Sequence, residues 1–393
     1  MHLTRQLAAA KYGLVLRKPR FLARMARFYL ESFAFRGEQP LRYVDFAVDY
    51  RCNLHCQHCF KTALENNDRR PPLTIAEYRR IAEECRELGA IHLSLQGGEV
   101  TLMNNLEEVI RSMAPEKTLF SITTNGTTIN AKRARELRSW GVDQLNVSLD
   151  SFIPEEHDQF RGKRGAFNRT MSGIYEAQRN GLNVQINTTV SKMNLCTPGF
   201  LELVDYCITN RILLNLVLAA PSGNWDGNRA VLLDRKDMRY IRALVKSTPW
   251  VRQDMDSIQL DRGCPAMKEA IYITPFGDVL CCPFIHISFG NLHDESLRTI
   301  RERALRYNFL AEHAKQCLVA EDRGFIRTYL SKTFGRKDLP ADCVEVFGCA
   351  ECTQYALPAP SVAPDDDYHL VVSEWRNRVR TCPQSTTGMA PAN

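Results

Sequence analysis

From about residue 43 the chain alternates short strand-like runs with helix-like ones, and that rhythm leaves few folds open to it. VDFAVDY (44–50), IHLSLQ (91–96), LFSITT (119–124), QLNVSLD (144–150), NVQINTTV (183–190) and LLNLVLA (213–219) read as strands. One helix opens at a capping box, Thr74 with Glu77, and runs to Gly89. Others fall near 105–114, 131–140, 170–180 and 199–209. Strict alternation implies parallel strands joined by right-handed helical crossovers. Six such units predict an α/β chain built as an open, partial (β/α)6 barrel. Its site is expected at the C-terminal ends of the strands.

The first strand runs into CNLHCQHCF, where Cys52, Cys56 and Cys59 are spaced C-x3-C-x2-C. Three thiolates this close can hold three irons of a cubane [4Fe–4S] cluster, leaving the fourth iron open to a small chelating molecule. A zinc knuckle completed by His55 or His58, or a set of free thiols, is the alternative. QGGEVTL follows the second strand at 96–102. There Gly97 and Gly98 let a backbone edge approach a ligand closely, and Glu99 can take an ammonium. Alone the two glycines mark an ordinary turn; one strand beyond a cysteine loop they belong to the same barrel mouth.

Together these motifs resemble the signature of the radical S-adenosylmethionine (SAM) superfamily. The resemblance implies that the amino and carboxylate groups of SAM occupy the open iron. One electron from the cluster then cleaves SAM to a 5′-deoxyadenosyl radical. It implies that Glu99 pairs with the methionyl amine, although Val100 stands in place of the usual proline. It also implies that Phe60 packs near the adenine, and that Ser148 and Arg161, the latter in FRGKRGAF, hold the ribose and carboxylate. The turn Thr124-Asn125-Gly126 recurs in the family after the third strand.

A second cysteine set begins at Cys264, ahead of EAIYITPFGDVLCCPF, which reads as a β-hairpin around Pro275–Asp278. Cys264, Gly277 and Cys282 are spaced C-x12-G-x4-C, FGNLHDESL follows, and Cys349 and Cys352 form a C-x2-C pair. This resembles the twitch domain, the shortened form of the SPASM domain, so that the resemblance spans roughly 43–355. It implies that Cys264, Cys282, Cys349 and Cys352 wrap one auxiliary [4Fe–4S] cluster. Pro358 and Val362 stand where a full SPASM domain carries further cysteines, which argues against a second one. Cys281 and Cys343 are substitute ligands to consider, Cys317 and Cys382 have no assigned role, and a four-cysteine zinc site is the alternative. Cys85, Cys196 and Cys207 read as buried thiols, with either of the last two a candidate hydrogen-atom donor.

The expected fold is therefore a partial (β/α)6 TIM-like barrel with a small C-terminal α+β twitch (SPASM-like) cluster domain. The expected divisions are a basic helical extension (1–42), the barrel (43–230), a helical linker (231–254), the auxiliary domain (255–355), and a C-terminal wrap with a disordered end (356–393). The wrap is Pro-rich at 358–364, acidic at Asp365–Asp367 and amphipathic near 369–380. Of the +6 formal charge, residues 1–36 hold eight Lys/Arg against Glu31, leaving about −1 for the rest. Phe21, Leu22, Met25, Phe28 and Tyr29 fall at helical spacing within it. Such a helix either closes a domain end or rests on an anionic membrane or acidic partner. Fourteen cysteines without a signal peptide, and no run long enough to span a bilayer, point to the cytoplasm. No basic stripe with interleaved aromatics recurs, so nucleic acid is not an expected partner.

What the resemblance implies is an oxidoreductase. The radical removes a substrate hydrogen atom, and the auxiliary cluster supports an oxidation or redox-assisted rearrangement. The expected substrate is a small polar metabolite (sugar, cyclitol or amino-acid-like) of natural-product or cofactor biosynthesis. The electron source is expected to be a flavodoxin- or ferredoxin-type reductant. A maturase of a ribosomally made peptide is the runner-up, and a non-catalytic zinc or Fe–S scaffold the third reading. Asn187, Asn215, Trp225 and Arg262 are the polar candidates for the substrate mouth.

Overall fold

The computed structural model describes Tyr12 and residues 15–34, 40–65, 70–195, 197–254, 263–350, 355 and 357, without side-chain detail at 28, 29 and 31–34. Cys196, Arg262, Cys352, Cys382, the expected C-terminal wrap apart from residue 357, and the side chains of Phe28 and Tyr29 lie outside that description.

Seven parallel strands make the barrel sheet. In chain order they and their helices are β1 (Tyr43–Asp49), α2 (Ile75–Glu87), β2 (His92–Gly97), α3 (Leu106–Ser112), β3 (Leu119–Thr124), α4 (Ala131–Trp140) and β4 (Gln144–Ser148). Then come α5 (Pro154–Arg161), α6 (Ala166–Arg179), β5 (Asn183–Val190), α7 (Pro198–Thr209), β6 (Leu213–Leu218), α8 (Arg235–Ser247) and β7 (Val251–Gln253), with α1 (Pro19–Ala34) ahead of them all. The capping box forms as its sequence requires: Thr74 Oγ1 accepts from the Glu77 amide at 3.3 Å, and Glu77 Oε2 accepts from the Thr74 amide at 2.8 Å. The stretch read as a helical linker is one more barrel unit, because α8 returns the chain to β7, which pairs parallel to β6 from Leu214↔Val251 to Leu216↔Gln253. A three-residue strand is too short to show a period of two, so no sequence pattern announces it.

The sheet also continues past the other edge of β1. β8 (Ala270–Ile273) pairs parallel to β1, with Asp45 opposite Tyr272. It turns antiparallel into β9 (Asp278–Leu280), giving the expected hairpin. β10 (Ile287–Asn291) and β11 (Ala341–Asp342) complete an eleven-strand order, β11-β10-β9-β8-β1-β2-β3-β4-β5-β6-β7. The C-terminal cysteine region is thus an extension of the barrel sheet.

Side chains alternate along each strand, and here the alternation separates two environments. Val44, Phe46, Leu93, Leu95, Phe120, Ile122, Leu145 and Val147 are fully buried against Ile81, Val109, Leu137 and Ile174 of the helices. The opposite face of the same strands carries Asp45, Ser94, Ser121, Gln144, Asn146, Gln185, Asn187 and Asn215. The apolar core lies between sheet and helices, while the inner wall is polar.

The basic N-terminal segment is stapled beneath the barrel. Tyr12 Oη donates to the Val184 carbonyl and accepts from the Leu213 amide, both at 2.9 Å. Phe21 packs with Val15 and Ile91, flanked by Leu22 and Met25. Arg24 donates to the Arg86 carbonyl at 2.7 Å. Lys18 is 5% exposed; its ammonium donates to the carbonyls of Pro115 (2.7 Å), Thr118 (3.2 Å) and Gly141 (2.9 Å) and pairs with buried Asp143. Burial pulls the Lys18 ammonium below its usual range, and Asp143 opposes that pull. Asp143 also pairs with Arg17 at 2.8 Å and accepts from the Phe120 amide at 2.9 Å. Arg17, Lys18 and Arg24 are thus turned onto the end of the barrel. Replacing one partner of a buried pair strands the other, so Lys18→Met is expected to cost about 3 kcal/mol of unfolding free energy. Lys18→Met/Asp143→Leu should recover part of it, as read from urea midpoints.

Candidate functional site

The C-terminal end of β1 delivers the chain directly into the loop of Cys52, Cys56 and Cys59. The three side chains pack in one cluster with Leu54 and Ala166, the first residue of α6. Cys56 is buried, and Cys52 and Cys59 are partly so. Burial pushes the Cys52 thiol up and the Cys59 thiol up to about 11. Two N–H groups point at sulfur: Asn125 Nδ2 lies 4.0 Å from Cys52 Sγ, and Arg161 Nη1 lies 3.7 Å from Cys56 Sγ.

Glycines set how closely this loop is held. The space a Cβ would need at Gly98 is filled by the Arg51 carbonyl at 2.1 Å, and at Gly97 by the Asp49 carbonyl at 2.2 Å. The backbone edge that these glycines admit is therefore the end of β1, the start of the cysteine loop. From the other side, a Cβ at Gly223 (φ +63°) would fall 2.1 Å from the Cys59 carbonyl oxygen. Asn224 Nδ2 then donates to the Cys56 carbonyl at 2.7 Å.

Glu99 is fully buried. Its Oε1 accepts from Thr101 Oγ1 (2.5 Å), the Thr101 amide (3.2 Å) and Thr124 Oγ1 (2.6 Å), while Oε2 accepts, among the described residues, from the Asn125 amide alone, at 2.7 Å. It joins the ends of β2 and β3, and its spare acceptor capacity for an ammonium lies on Oε2. Arg161 is also buried. Its Nε pairs with Asp150 Oδ2 at 2.6 Å, and Asp150 Oδ1 accepts from the Thr189 amide at 3.0 Å. Burial alone would raise the Asp150 carboxyl, but Arg161, His58 and His157 hold it below its ordinary value. Ser148 ends β4, partly exposed and level with Asn187. Phe60 sits edge-on to Tyr272 at 6.0 Å and to Phe284 at 5.5 Å, between the two cysteine regions.

The zinc alternative at this loop would need His55 or His58 as its fourth ligand. Among the described residues no three Cys, His, Asp or Glu side chains gather around one metal position. His58 instead stacks on Phe160 at 4.5 Å, its pKa pushed down to about 3 by burial and by Arg161, while His55 is exposed. A cubane needs its thiolates farther apart than a single ion does. Three thiols, two N–H groups directed at sulfur and a loop seated on glycines suit an open-iron cluster.

In the second set Cys264, Cys282 and Cys317 lie within electrostatic range of one another. Burial raises all three thiols, and Cys282 also feels the charges of Cys281, Cys317 and Cys264, as Cys317 feels that of Cys264. The Cys264 amide donates to the Ala314 carbonyl at 2.8 Å, which lays the backbone ahead of β8 against the segment leading to Cys317. Cys349 is exposed and within electrostatic range of Tyr307, as is Cys343. Cys317 is the residue that sequence reasoning left without a role, because its nearest cysteine partners lie 35 and 53 positions back. Cys85 and Cys207 are buried thiols within the main core.

The inner wall carries a chain of polar contacts that the sequence resolved only in part. Tyr43 Oη donates to Asp45 Oδ1 at 2.6 Å. Arg252 Nε donates to Asn215 Oδ1 at 3.0 Å and its Nη2 to Gln185 Oε1 at 2.9 Å. Asn215 Nδ2 donates to Asp254 at 3.1 Å, and Gln185 Nε2 to Asn187 at 2.8 Å. Burial raises the Asp45 carboxyl to about 7 against the donated Tyr43 bond, and the charge of Asp254 adds to the rise. Asn187 and Asn215 belong to this wall. Trp225 does not; it is buried beside His58 and Phe160.

An open parallel barrel with a three-thiol loop at the C-terminal end of its first strand, and a second thiol set on the same sheet, defines an iron–sulfur enzyme scaffold. Residues 48–198 match the family model described as radical SAM superfamily, and 264–319 match one described as an iron-sulfur cluster-binding domain, SPASM. The AdoMet-dependent heme synthase of Methanosarcina barkeri is 36% identical over 292 residues, 67% of this chain and 82% of that protein. The antilisterial bacteriocin subtilosin biosynthesis protein AlbA of Bacillus subtilis is 26% identical over 271 residues, 65% of this chain and 58% of that one. Among solved structures, native anSMEcpe with bound AdoMet superposes with a TM-score of 0.55 at 16% identity, covering 88% of this chain and 100% of that one. Streptococcus suis SuiB bound to its precursor peptide SuiA gives 0.55 at 18%, covering 71% and 67%. The chain belongs to the radical SAM superfamily and carries a SPASM domain. Its cofactors are SAM, the [4Fe–4S] cluster completed by SAM, and an auxiliary [4Fe–4S] cluster.

A Cβ at position 223 would displace the Cys59 carbonyl while leaving the second cysteine set untouched. Gly223→Ala is therefore expected to lose about four irons per chain and retain about four. Iron and sulfide assays after anaerobic reconstitution would show this, and loss of all iron would contradict it.

Proposed function

We propose that this chain is a radical SAM oxidoreductase acting on a small polar metabolite held against the inner wall of its barrel. Cys52, Cys56 and Cys59 hold the cluster whose open iron takes SAM, and Cys264, Cys282 and Cys317 contribute to the auxiliary cluster. When bound, these groups supply a 5′-deoxyadenosyl radical for hydrogen abstraction and a one-electron redox centre beside it. Oε2 of Glu99 receives the SAM ammonium, Ser148 the ribose, and Phe60 covers the adenine while separating the two cysteine regions. Arg161 keeps Cys56 and Asp150 in place, and the Asp150 pair holds the turn after β4. Asp45, Asn187, Asn215, Arg252 and Asp254 position the substrate.

The observation that carries this reading is the polarity of the wall. A hydrogen-bonding lining facing inward from β1 to β7 suits a substrate rich in polar groups, and the family's chemistry operates at that end of the strands. Relatives named heme synthase and Fe-coproporphyrin III synthase put carboxylate-bearing tetrapyrroles on the test panel beside amino sugars and cyclitols. A peptide substrate is the second reading, supported by the relative AlbA and by the fold shared with peptide-bound SuiB.

The test is deuterium transfer from each labelled candidate into 5′-deoxyadenosine, under SAM and a strong reductant. Transfer from a peptide but from no metabolite would reject the lead reading. Asp45→Asn is expected to lower substrate-dependent turnover at least about tenfold, a loss of roughly 1.4 kcal/mol of transition-state binding, with substrate-free SAM cleavage unchanged. The Asp45 carboxyl sits near pH 7, raised by its burial, so wild-type turnover should change across that pH. Asp45→Asn should remove that inflection from the pH–rate profile.

A further inference from the structure

The turn that carries the chain from Cys264 into β8 is tight, and it folds a lysine inward. The Met267 amide donates to the Ala270 carbonyl at 2.7 Å, and the Lys268 and Glu269 amides return to the carbonyls of Ala266 and Pro265 at 2.8 and 2.9 Å. Met267 takes φ +62°, a left-handed conformation that is costly for a residue with a side chain. Buried Arg301 braces it, donating from Nε to the Met267 carbonyl at 3.2 Å and from Nη2 to the Lys268 carbonyl at 2.8 Å. The Lys268 side chain is left only 3% exposed. Its ammonium donates to the Leu310 carbonyl at 2.7 Å and to the Ala266 carbonyl at 3.4 Å. Those two carbonyls belong to the segments that the hydrogen bond from Cys264 to Ala314 also joins, one starting at Cys264 and the other leading to Cys317.

A buried ammonium needs an opposite charge beside it. Among the described residues the other buried lysines, Lys18 and Lys61, pair with Asp143 and Glu65, whereas no carboxylate oxygen comes within ion-pair distance of Lys268. Burial pulls the Lys268 ammonium below its usual range, and the charges that oppose the pull are Cys264, then Cys281, then Glu269 and Glu312. Glu269 is engaged elsewhere, with Arg42 at 3.1 Å and His313 at 3.2 Å. The negative charge left for Lys268 is that of the cysteine set around it.

We propose that Lys268 is the buried counter-charge of the auxiliary cluster and raises its reduction potential. This rests on the reading that Cys264, Cys282 and Cys317 contribute to that cluster. The potential of such a group follows its net charge, its burial and the hydrogen bonds around it. Reduction adds one electron, and hence one negative charge, inside the protein, and a fixed cation nearby offsets part of that cost. The couple takes up one electron and no proton, since Lys268 keeps its own throughout. Lys268 is thus a positioning residue, which acts through the cluster by making it a better electron acceptor.

The test is a redox titration of the anaerobically reconstituted full chain, followed by electron paramagnetic resonance. The reduced signal that added SAM leaves unchanged is that of the auxiliary cluster. Lys268→Met should make reduction of that cluster about tenfold less favourable or more, a fall of about 59 mV in its midpoint potential. The iron content and the midpoint of the SAM-binding cluster should stay as in wild type. Lys268→Gln keeps an N–H donor but no charge; it should give the same fall, and it serves if the methionine variant does not fold. Lys268→Arg should keep the midpoint closer to wild type than to the neutral variants. Unchanged midpoints in the neutral variants would overturn the proposal. So would a Lys268→Arg midpoint as low as theirs, or loss of auxiliary iron in every variant, either of which would leave Lys268 a purely structural part. If Cys317→Ala left the auxiliary signal and its midpoint intact, the ligand reading would fail while the charge effect of Lys268 stood. Wild-type protein with no auxiliary signal would overturn both.

Discussion

Strand β1 is hydrogen-bonded on both edges, to β2 of the barrel and to β8 of the cysteine-rich region. Everything that matters chemically is referenced to it. Its C-terminal end launches the loop of Cys52, Cys56 and Cys59, and its β8 edge carries the hairpin that bears Cys281 and Cys282. The separation between the two cysteine sets is therefore fixed by backbone ladders rather than by a flexible linker between domains. Redox partners benefit from such rigidity, because paired strands fix the points at which the two cysteine-bearing loops leave the sheet. Phe60 and Phe284 fill the space between the two sets, and Tyr272 beneath them is fully buried.

The loop itself has little regular structure of its own, so its shape comes from what presses on it. Carbonyls of residues 49–51 lie where Cβ atoms would be at Gly97 and Gly98, and the Cys59 carbonyl lies against Gly223. Asn125 and Arg161 approach sulfur from the ends of β3 and α5. Each contact comes from a different βα unit, so the loop is held only when the barrel is assembled. The buried Asp150–Arg161 pair belongs to the same scheme. Removing either member would leave a charge without a partner, and such pairs fix geometry more dependably than they add stability.

The polar inner wall follows from the same alternation that makes the core. A strand with apolar residues facing its helices must present its other residues inward, and in β4 these are Gln144, Asn146 and Ser148. Amide side chains linked across strands satisfy one another where water does not reach, while leaving donors and acceptors for a bound molecule. Asp45, beside Tyr43 and within the field of Asp254, is an acid of that wall whose carboxyl burial raises to about 7.

The sequence by itself determined the α/β alternation, most strand boundaries, the three-thiol loop, the Gly-Gly-Glu turn and the β8–β9 hairpin. These are legible because spacing and period are local properties of a chain. What only the tertiary structure decided is long-range. It decided that β7 joins the sheet and that the sheet continues through β8. It brought Cys317 within electrostatic range of Cys264 and Cys282, and set Trp225 away from the inner wall. It also turned Arg161 toward Cys56 and Asp150, and the N-terminal cations onto strand-end carbonyls and Asp143. Pairing between segments tens to hundreds of residues apart depends on burial and hydrogen-bond closure of the whole sheet, and no local pattern encodes it.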